Sequence, residues 1–363
     1  LSRHALPKLV ALQVLRGCAA LAIALVHLET EWRALGAVPQ GWTRPFPWEA
    51  GVDVFFVISG FVMVYASAGL FGREGGARLF LARRTARIVP LYWLTTTLVL
   101  ALVALKPDLM RSAVATPEMI AASFLFIPWT RPDGLVQPVY TLGWTLNYEM
   151  FFYVVFAAVL ALRMGRRTSV AAVGAILLLL IGFGLLVRPA SQPLAFWTSS
   201  MLIAFVLGIA LGLARVEGVT LPLPARIGLL AIGIALFWFV GGDLAMRTGR
   251  DTAFVFALPS ACLVAACGLG PGRPEGRQRD GSPSHWLARA GESLGDASYA
   301  IYLLHPFAIR GTLKAIDISG LGPRLGVVGL TIAALAATIA LALVSYRFVE
   351  RPLTRLARAS SPR

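Results

Sequence analysis

The sequence predicts an all-α integral membrane protein of about ten transmembrane helices, with both termini cytoplasmic. Three observations predict it. Hydrophobic residues make up 57% of the 363 residues and charged residues only 14%, with mean hydropathy +0.73; a soluble domain carries about 25% charged residues. Apolar stretches long enough to cross a bilayer recur from end to end. The basic residues fall mainly in alternate short connections between them. Nothing is left over for a separate soluble domain, so residues 1–363 read as a single transmembrane domain.

The spans are expected near 9–29, 50–70, 87–105, 142–162, 169–187, 195–214, 223–242, 252–270, 296–316 and 325–347. The first, VALQVLRGCAALAIALVHLE, has no small-residue cleavage site after it and is expected to be retained. Three spans carry polar interruptions: Asp53 in the second, Asn147 and Glu149 in the fourth, His305 and Pro306 in the ninth. Such segments face a protein interior rather than lipid. The longer connection 106–141 holds five prolines and is expected to include a short interfacial helix around MIAASFLFIPW. The connection 271–295 opens with PGRPEGRQRDGSPS, whose Gly, Pro and charge read as a flexible linker. No internal repeat of the transporter kind is found.

With the N-terminus inside, about two-thirds of the 33 Lys and Arg residues lie in inner segments, the asymmetry of a multi-pass protein of a bacterial cytoplasmic membrane with both ends in the cytoplasm. The net charge of +15 therefore reflects topology, and no DNA- or RNA-binding motif accompanies it. Nucleic acid is not expected as a partner; membrane lipid is. Cys18, Cys262 and Cys267 lie in apolar runs without metal or disulfide spacing, so they are expected to be small buried residues and no metal is expected.

Charge in hydrocarbon is costly, which makes Arg16 and His27 of the first span functional candidates. Eleven residues at about 100° each bring both onto one stripe, roughly 16 Å apart along the axis. The alternative is an interfacial Arg that snorkels and a His that faces a neighbouring helix. The assumed direction puts Arg16 in the cytoplasmic half, His27 and Asp53 at similar depth near the outer face, Glu149 in the outer half of the fourth span, and His305 midway along the ninth. A carboxylate bonded to one imidazole nitrogen raises the basicity of the other, as proton removal from a hydroxyl requires; a buried pair that orients helices is equally consistent with depth alone. On the cytoplasmic side, RRTARIVPLYW puts Arg84 and Arg87 three apart on one face. Guanidinium groups bind phosphates bidentately, so these and Arg16 suit a phosphorylated ligand; plain positive-inside topology also accounts for an isolated RRxxR.

The sequence resembles the membrane-bound acyltransferase family 3, whose members O-acylate O-antigens, exopolysaccharides and nodulation factors. The residues that carry the resemblance are LQVLRGCAALAIALVH, with Arg16 and His27 in an R-x10-H pattern, then GVDVFFVISGFVM (51–63), RRTARIVPLYWL (83–94), WTLNYEMFFY (144–153), SYAIYLLHPF (298–307) and YRFVERPL (346–353). Each block alone is weak; six in order are specific, and they cover nearly the whole chain. Thr145, Asn147 and Phe151 depart from the commoner residues of the fourth block, as in an exopolysaccharide-modifying branch. No hydrolase-like domain follows, so the membrane domain is expected to complete the reaction alone or with a partner.

The resemblance implies an O-acyltransferase that moves an acyl group, expected to be acetyl, from cytoplasmic acyl-CoA to a hydroxyl of a cell-surface or lipid-linked glycan. It implies that His27 is catalytic, as general base, with Arg16, Arg84 and Arg87 binding the donor and Glu149 in an acidic motif position. Asp53 is expected at the catalytic group beside them. Trp144, Asn147, Tyr148 and Tyr153 suit stacking and hydrogen bonding to a sugar, and His305 is expected to join them at the acceptor. Cys18, two residues past Arg16, should point away from the stripe. Two other classes fit ten spans: a flippase or transporter for a lipid-linked sugar, and a structural subunit of an export complex. CoA-dependent label transfer separates the enzyme from both.

Overall fold

A computed structural model describes residues 7–34, 36, 46–105, 116–248, 252–272 and 283–359. The described residues form helices without a strand: α1 Val10–Ala34, α2 Gly51–Ala66, α3 Gly76–Leu105, α4 Pro117–Phe124, α5 Trp144–Ala161, α6 Arg166–Val187, α7 Gln192–Trp197, α8 Leu202–Val216, α9 Leu223–Thr248, α10 Thr252–Gly268, α11 Pro283–Asp296, α12 Ser298–Ser319, α13 Gly322–Ser345 and α14 Arg351–Ala359. A π-helical turn, Tyr346–Glu350, joins the last two.

Among the described residues, seven helical segments are long and apolar enough to cross a membrane. They contain α1, α2, α3, α5, α6, α7 with α8, and α13, and correspond to seven of the ten expected spans. The expected spans at 223–242 and 252–270 match shorter apolar helices, Leu223–Phe239 and Ala253–Gly268. The ninth matches α12, 22 residues long but interrupted by His305, Pro306, Arg310 and Lys314. The protein is a multi-pass helical membrane protein. α3 starts eleven residues before the expected span, because RLFLARRTAR favours helix although its arginines exclude it from hydrocarbon. The interfacial helix expected near MIAASFLFIPW is α4, capped by the Thr116 side chain and opened by Pro117. Most of the expected linker, residues 273–282, lies outside the described residues; the remainder of that connection is mainly helical, as α11.

α2 lies at the centre and meets α8 through glycines. A Cβ on Gly208 would stand 2.2 Å from the Val57 carbonyl oxygen, and one on Gly60 2.5 Å from that of Phe205. Small residues permit this backbone approach where burial of apolar surface between helices gains little from lipid. Stacked rings of Phe56, Phe205 and Phe152 then bind α2, α8 and α5 together.

Paired contacts fix the directions. Tyr65 donates to the Pro7 carbonyl at 2.7 Å, and a Cβ on Gly51 would meet the Ala19 carbonyl oxygen and Ile23, so α2 runs antiparallel to α1. α12 runs parallel to α1: Lys8 meets Glu292 and Asp296 just before it, the rings of His27 and His305 are 4.9 Å apart, and Glu31 accepts from Arg310 at 2.7 Å. Burial pulls Lys8 down, but the two carboxylates outweigh it and hold the ammonium above its ordinary pKa.

The cysteines differ from expectation. Cys18 is exposed, and Cys262 and Cys267 are half-buried. An apolar run gives no clue to which of its faces meets lipid, and a small thiol is compatible with either.

Candidate active site

A cavity opens among α1, α2, α3, α5 and α12. Arg16 reaches it from α1, Arg84 and Arg87 from α3, Ser59 from α2, Glu149 and Tyr153 from α5. The two α3 arginines, three residues apart, share a face; Arg83, between faces, is exposed. The RRxxR run thus divides into two cavity residues and one surface residue. Arg16 donates to Gln13 at 3.0 Å, and Arg84 lies over the Phe80 ring at 5.8 Å. Glu149 accepts from Ser59 at 3.0 Å and from the Tyr153 hydroxyl. Three cations and one doubly bonded carboxylate leave the chamber net positive, which suits a polyanionic group.

This arrangement corrects the expected depth of Glu149. Ser59, its partner, lies eight residues inward from Gly51, about 12 Å along α2, so Glu149 belongs to the level of Arg16. The cause is local. The chain before α5 dips into the bundle: Val139, Tyr140 and Leu142 are buried, and the Tyr140 hydroxyl donates to the Leu303 carbonyl of α12. α5 therefore begins beside α12, where its Thr145 meets Tyr302, and Glu149, one turn further along it, faces Ser59 of α2.

The histidines form a second centre. His27 is half-buried and His305 fully buried. The His305 Nδ1 is 3.1 Å from the Ile301 carbonyl oxygen, and its Nε2 has no hydrogen-bond partner among the described residues. Neither histidine lines the arginine cavity. Asp53 is not level with His27 either. Gly51 packs at the Ala19–Ile23 turn; His27 lies a turn further out and Asp53 two residues further in, a separation of about 10 Å along the axis. Asp53 is buried, with Oδ1 unpartnered among the described residues, and does not line the cavity. The expected grouping of His27 with two carboxylates is thus not formed; His305 stands beside His27 instead.

Between the centres stands Tyr302. It lines the outer end of the cavity, and its ring is 6.2 Å from that of His305. Its hydroxyl donates to the Leu142 carbonyl and lies 2.9 Å from Thr145 Oγ1. Tyr299, on the same helix, donates to the Ile88 carbonyl of α3. Ser298, Tyr302 and His305 recur at i, i+4 and i+7, one face of a helix, and that spacing in SYAIYLLHPF was the signal by which the tyrosine could have been found. Ser59 carries no such signal.

The residues expected at the acceptor scatter. Tyr153 lines the cavity with the arginines. Tyr148 is buried, stacked on Phe196 at 3.9 Å and edge-on to Phe56, its hydroxyl 2.8 Å from Ser199. Trp144 packs edge-on against Tyr148. Asn147 is buried with Oδ1 unpartnered. The aromatic side of α5 therefore serves to dock α7: besides Tyr148, Phe151 stacks on Trp197 at 5.3 Å. Cys18 does not line the cavity.

The family model described as Acyltransferase domain matches residues 9–347. The chain is 36% identical over 321 residues to the exopolysaccharide production protein ExoZ of Rhizobium meliloti, covering 85% of this chain and 90% of that protein. It is 24% identical over 374 residues to the peptidoglycan O-acetyltransferase OatA of Listeria monocytogenes, covering 94% of this chain but only 55% of that protein. No solved structure matches the chain.

Proposed function

The chain belongs to acyltransferase family 3 and is an O-acyltransferase, and on that premise we propose that it moves an acyl group, acetyl in the simplest case, from cytoplasmic acyl-CoA to a hydroxyl of a surface exopolysaccharide or its lipid-linked precursor. It sits in the bacterial cytoplasmic membrane with both ends inside. The observation that carries this proposal is the cavity in which Arg16, Arg84 and Arg87 converge. CoA presents phosphates at one end and a thioester on a long flexible arm. Phosphates bind guanidinium groups bidentately, and Glu149, itself held by Ser59 and Tyr153, sets one negative charge in the same chamber. The arm points outward along α1 and α12, past Tyr302, toward His27.

In this reading His27 takes the proton of the acceptor hydroxyl. The oxygen bonds to the acyl carbon, the carbon–sulfur bond breaks, and the thiolate leaves with the proton that His27 carries. The acceptor is assigned to exopolysaccharide by the likeness to ExoZ, which covers most of both chains. Asp53, about two helical turns along the axis from His27 and apart from the cavity, is assigned an orienting role in the helix bundle rather than proton transfer. The test is label transfer from acyl-labelled CoA to polysaccharide in membranes that contain the protein. Transfer that depends on the protein supports the proposal; movement of lipid-linked sugar without acyl transfer would replace it with a flippase.

A further inference from the structure

We propose that His305 is the positioning residue for His27, in the place where a carboxylate would ordinarily stand. The inference deepens the reading of His27 as base and rests on it. Three observations carry it. First, the His305 Nδ1 lies 3.1 Å from the Ile301 carbonyl oxygen. A carbonyl cannot donate, so the Nδ1 carries the proton and the Nε2 is a bare acceptor. Second, the next residue is Pro306, inside α12. Proline has no N–H, so the carbonyl four residues before it, that of Tyr302, lacks its helical partner. That carbonyl stands on the same turn of α12 as His305, so the backbone beside the ring offers acceptors rather than donors. Third, the resulting acceptor, Nε2, is fully buried without a partner among the described residues, on a ring 4.9 Å from that of His27.

A buried acceptor without a donor is costly, and the polar side chain beside it is His27. Rotation of the half-buried His27 ring brings one of its N–H groups to the His305 Nε2. That bond fixes the His27 tautomer and leaves the other nitrogen bare, facing the acceptor hydroxyl. A carboxylate would do the same and would add a negative charge. A neutral imidazole sets the tautomer without placing a second charge in the dry end of the bundle. The pattern is readable as His-Pro on α12 opposite a lone His on α1.

The experiment uses the full chain in membranes, with acetyl-labelled CoA as donor and de-O-acylated exopolysaccharide of the expressing strain as acceptor. His305→Phe keeps the ring and removes the acceptor; His305→Gln restores an acceptor oxygen near the Nε2 position. His305→Phe should lower kcat by about tenfold or more, part of the two to four orders of magnitude that a general base supplies, with the KM for acetyl-CoA within twofold. His305→Gln should recover a measurable part of kcat. Equal activity of the Phe variant and the wild type, beside an inactive His27→Ala, overturns the positioning role while the base assignment stands. An active His27→Ala overturns both. A second readout needs no turnover: the chain has only four histidines, so nitrogen NMR of histidine-labelled protein can follow each ring. The His27 tautomer should be single in the wild type and mixed in His305→Phe; unchanged His27 signals overturn the proposal.

Discussion

The arginine cavity and the histidine pair lie in one bundle yet are built on opposite terms. The cavity is charged: three guanidinium groups and a carboxylate with two hydroxyl donors project into a largely apolar chamber. The histidine end is closed, with His305 fully buried and the tyrosines of α12 pinned to the backbones of α3 and of the turn before α5. On the proposed function, the first region binds charge and the second manages a single proton. The difference teaches that R-x10-H is not one site: its arginine belongs to one centre and its histidine to the other, about 16 Å apart along α1.

The sharpest test of that division is His27→Ala. Turnover should fall by roughly two to four orders of magnitude, while the dissociation constant for CoA, titrated onto purified protein, stays within twofold. Loss of CoA affinity in this variant would merge the two centres into one.

The converse variants come next. Arg84→Ala and Arg87→Ala should each raise the CoA dissociation constant by roughly tenfold, since a charge-assisted hydrogen bond is worth about 1.5–3 kcal/mol. Arg83→Ala, from the exposed member of the run, should leave it within twofold. Loss of one Arg from a loop of five leaves the topology bias intact, so insertion should not change. Equal effects at all three positions would return the run to topology alone.

Glu149→Gln separates charge from geometry within the cavity. The amide oxygen still accepts from Ser59 and Tyr153, but the negative charge among three arginines is gone. CoA should bind several-fold tighter, because the phosphates no longer meet a like charge. Weaker binding would mean that the carboxylate holds an arginine in its productive position.

How much of this was legible in the sequence depends on what each feature rests on. The apolar spans, the helix at α4 and the cavity side of Arg84 and Arg87 follow from period and composition, which are local. The depth of Glu149 was not legible, because it depends on a connection that turns back into the bundle at Tyr140; counting residues from an assumed membrane surface misses such a dip. Asp53 and His27 were placed together by the same counting, and packing of Gly51 at Ala19 and Ile23 separates them. The aromatic run of α5 suited sugar stacking as well as helix docking, and only the position of α7 decides that Tyr148 and Phe151 are occupied. Tyr302 and His305 were within reach of sequence, since Ser298, Tyr302 and His305 repeat on one helical face.

The smallest expected effect concerns the boundary between the regions. Tyr302→Phe keeps the ring between cavity and histidines but removes a hydroxyl that meets Thr145 and the Leu142 carbonyl. The Leu142 carbonyl keeps the Thr145 hydroxyl as a donor at 3.2 Å, so the variant loses one hydrogen bond, about 0.5–1.5 kcal/mol, and the melting temperature should fall by a few degrees. Turnover should hold or rise up to a few-fold, because the donor arm must pass this ring and the variant holds it less firmly. The ring, not the hydroxyl, then forms the boundary. A fall in turnover beyond tenfold at full CoA affinity would show that the hydroxyl takes part in the proton transfer. The histidine centre would then extend to Tyr302, and the division between the two regions would move inward by one turn of α12.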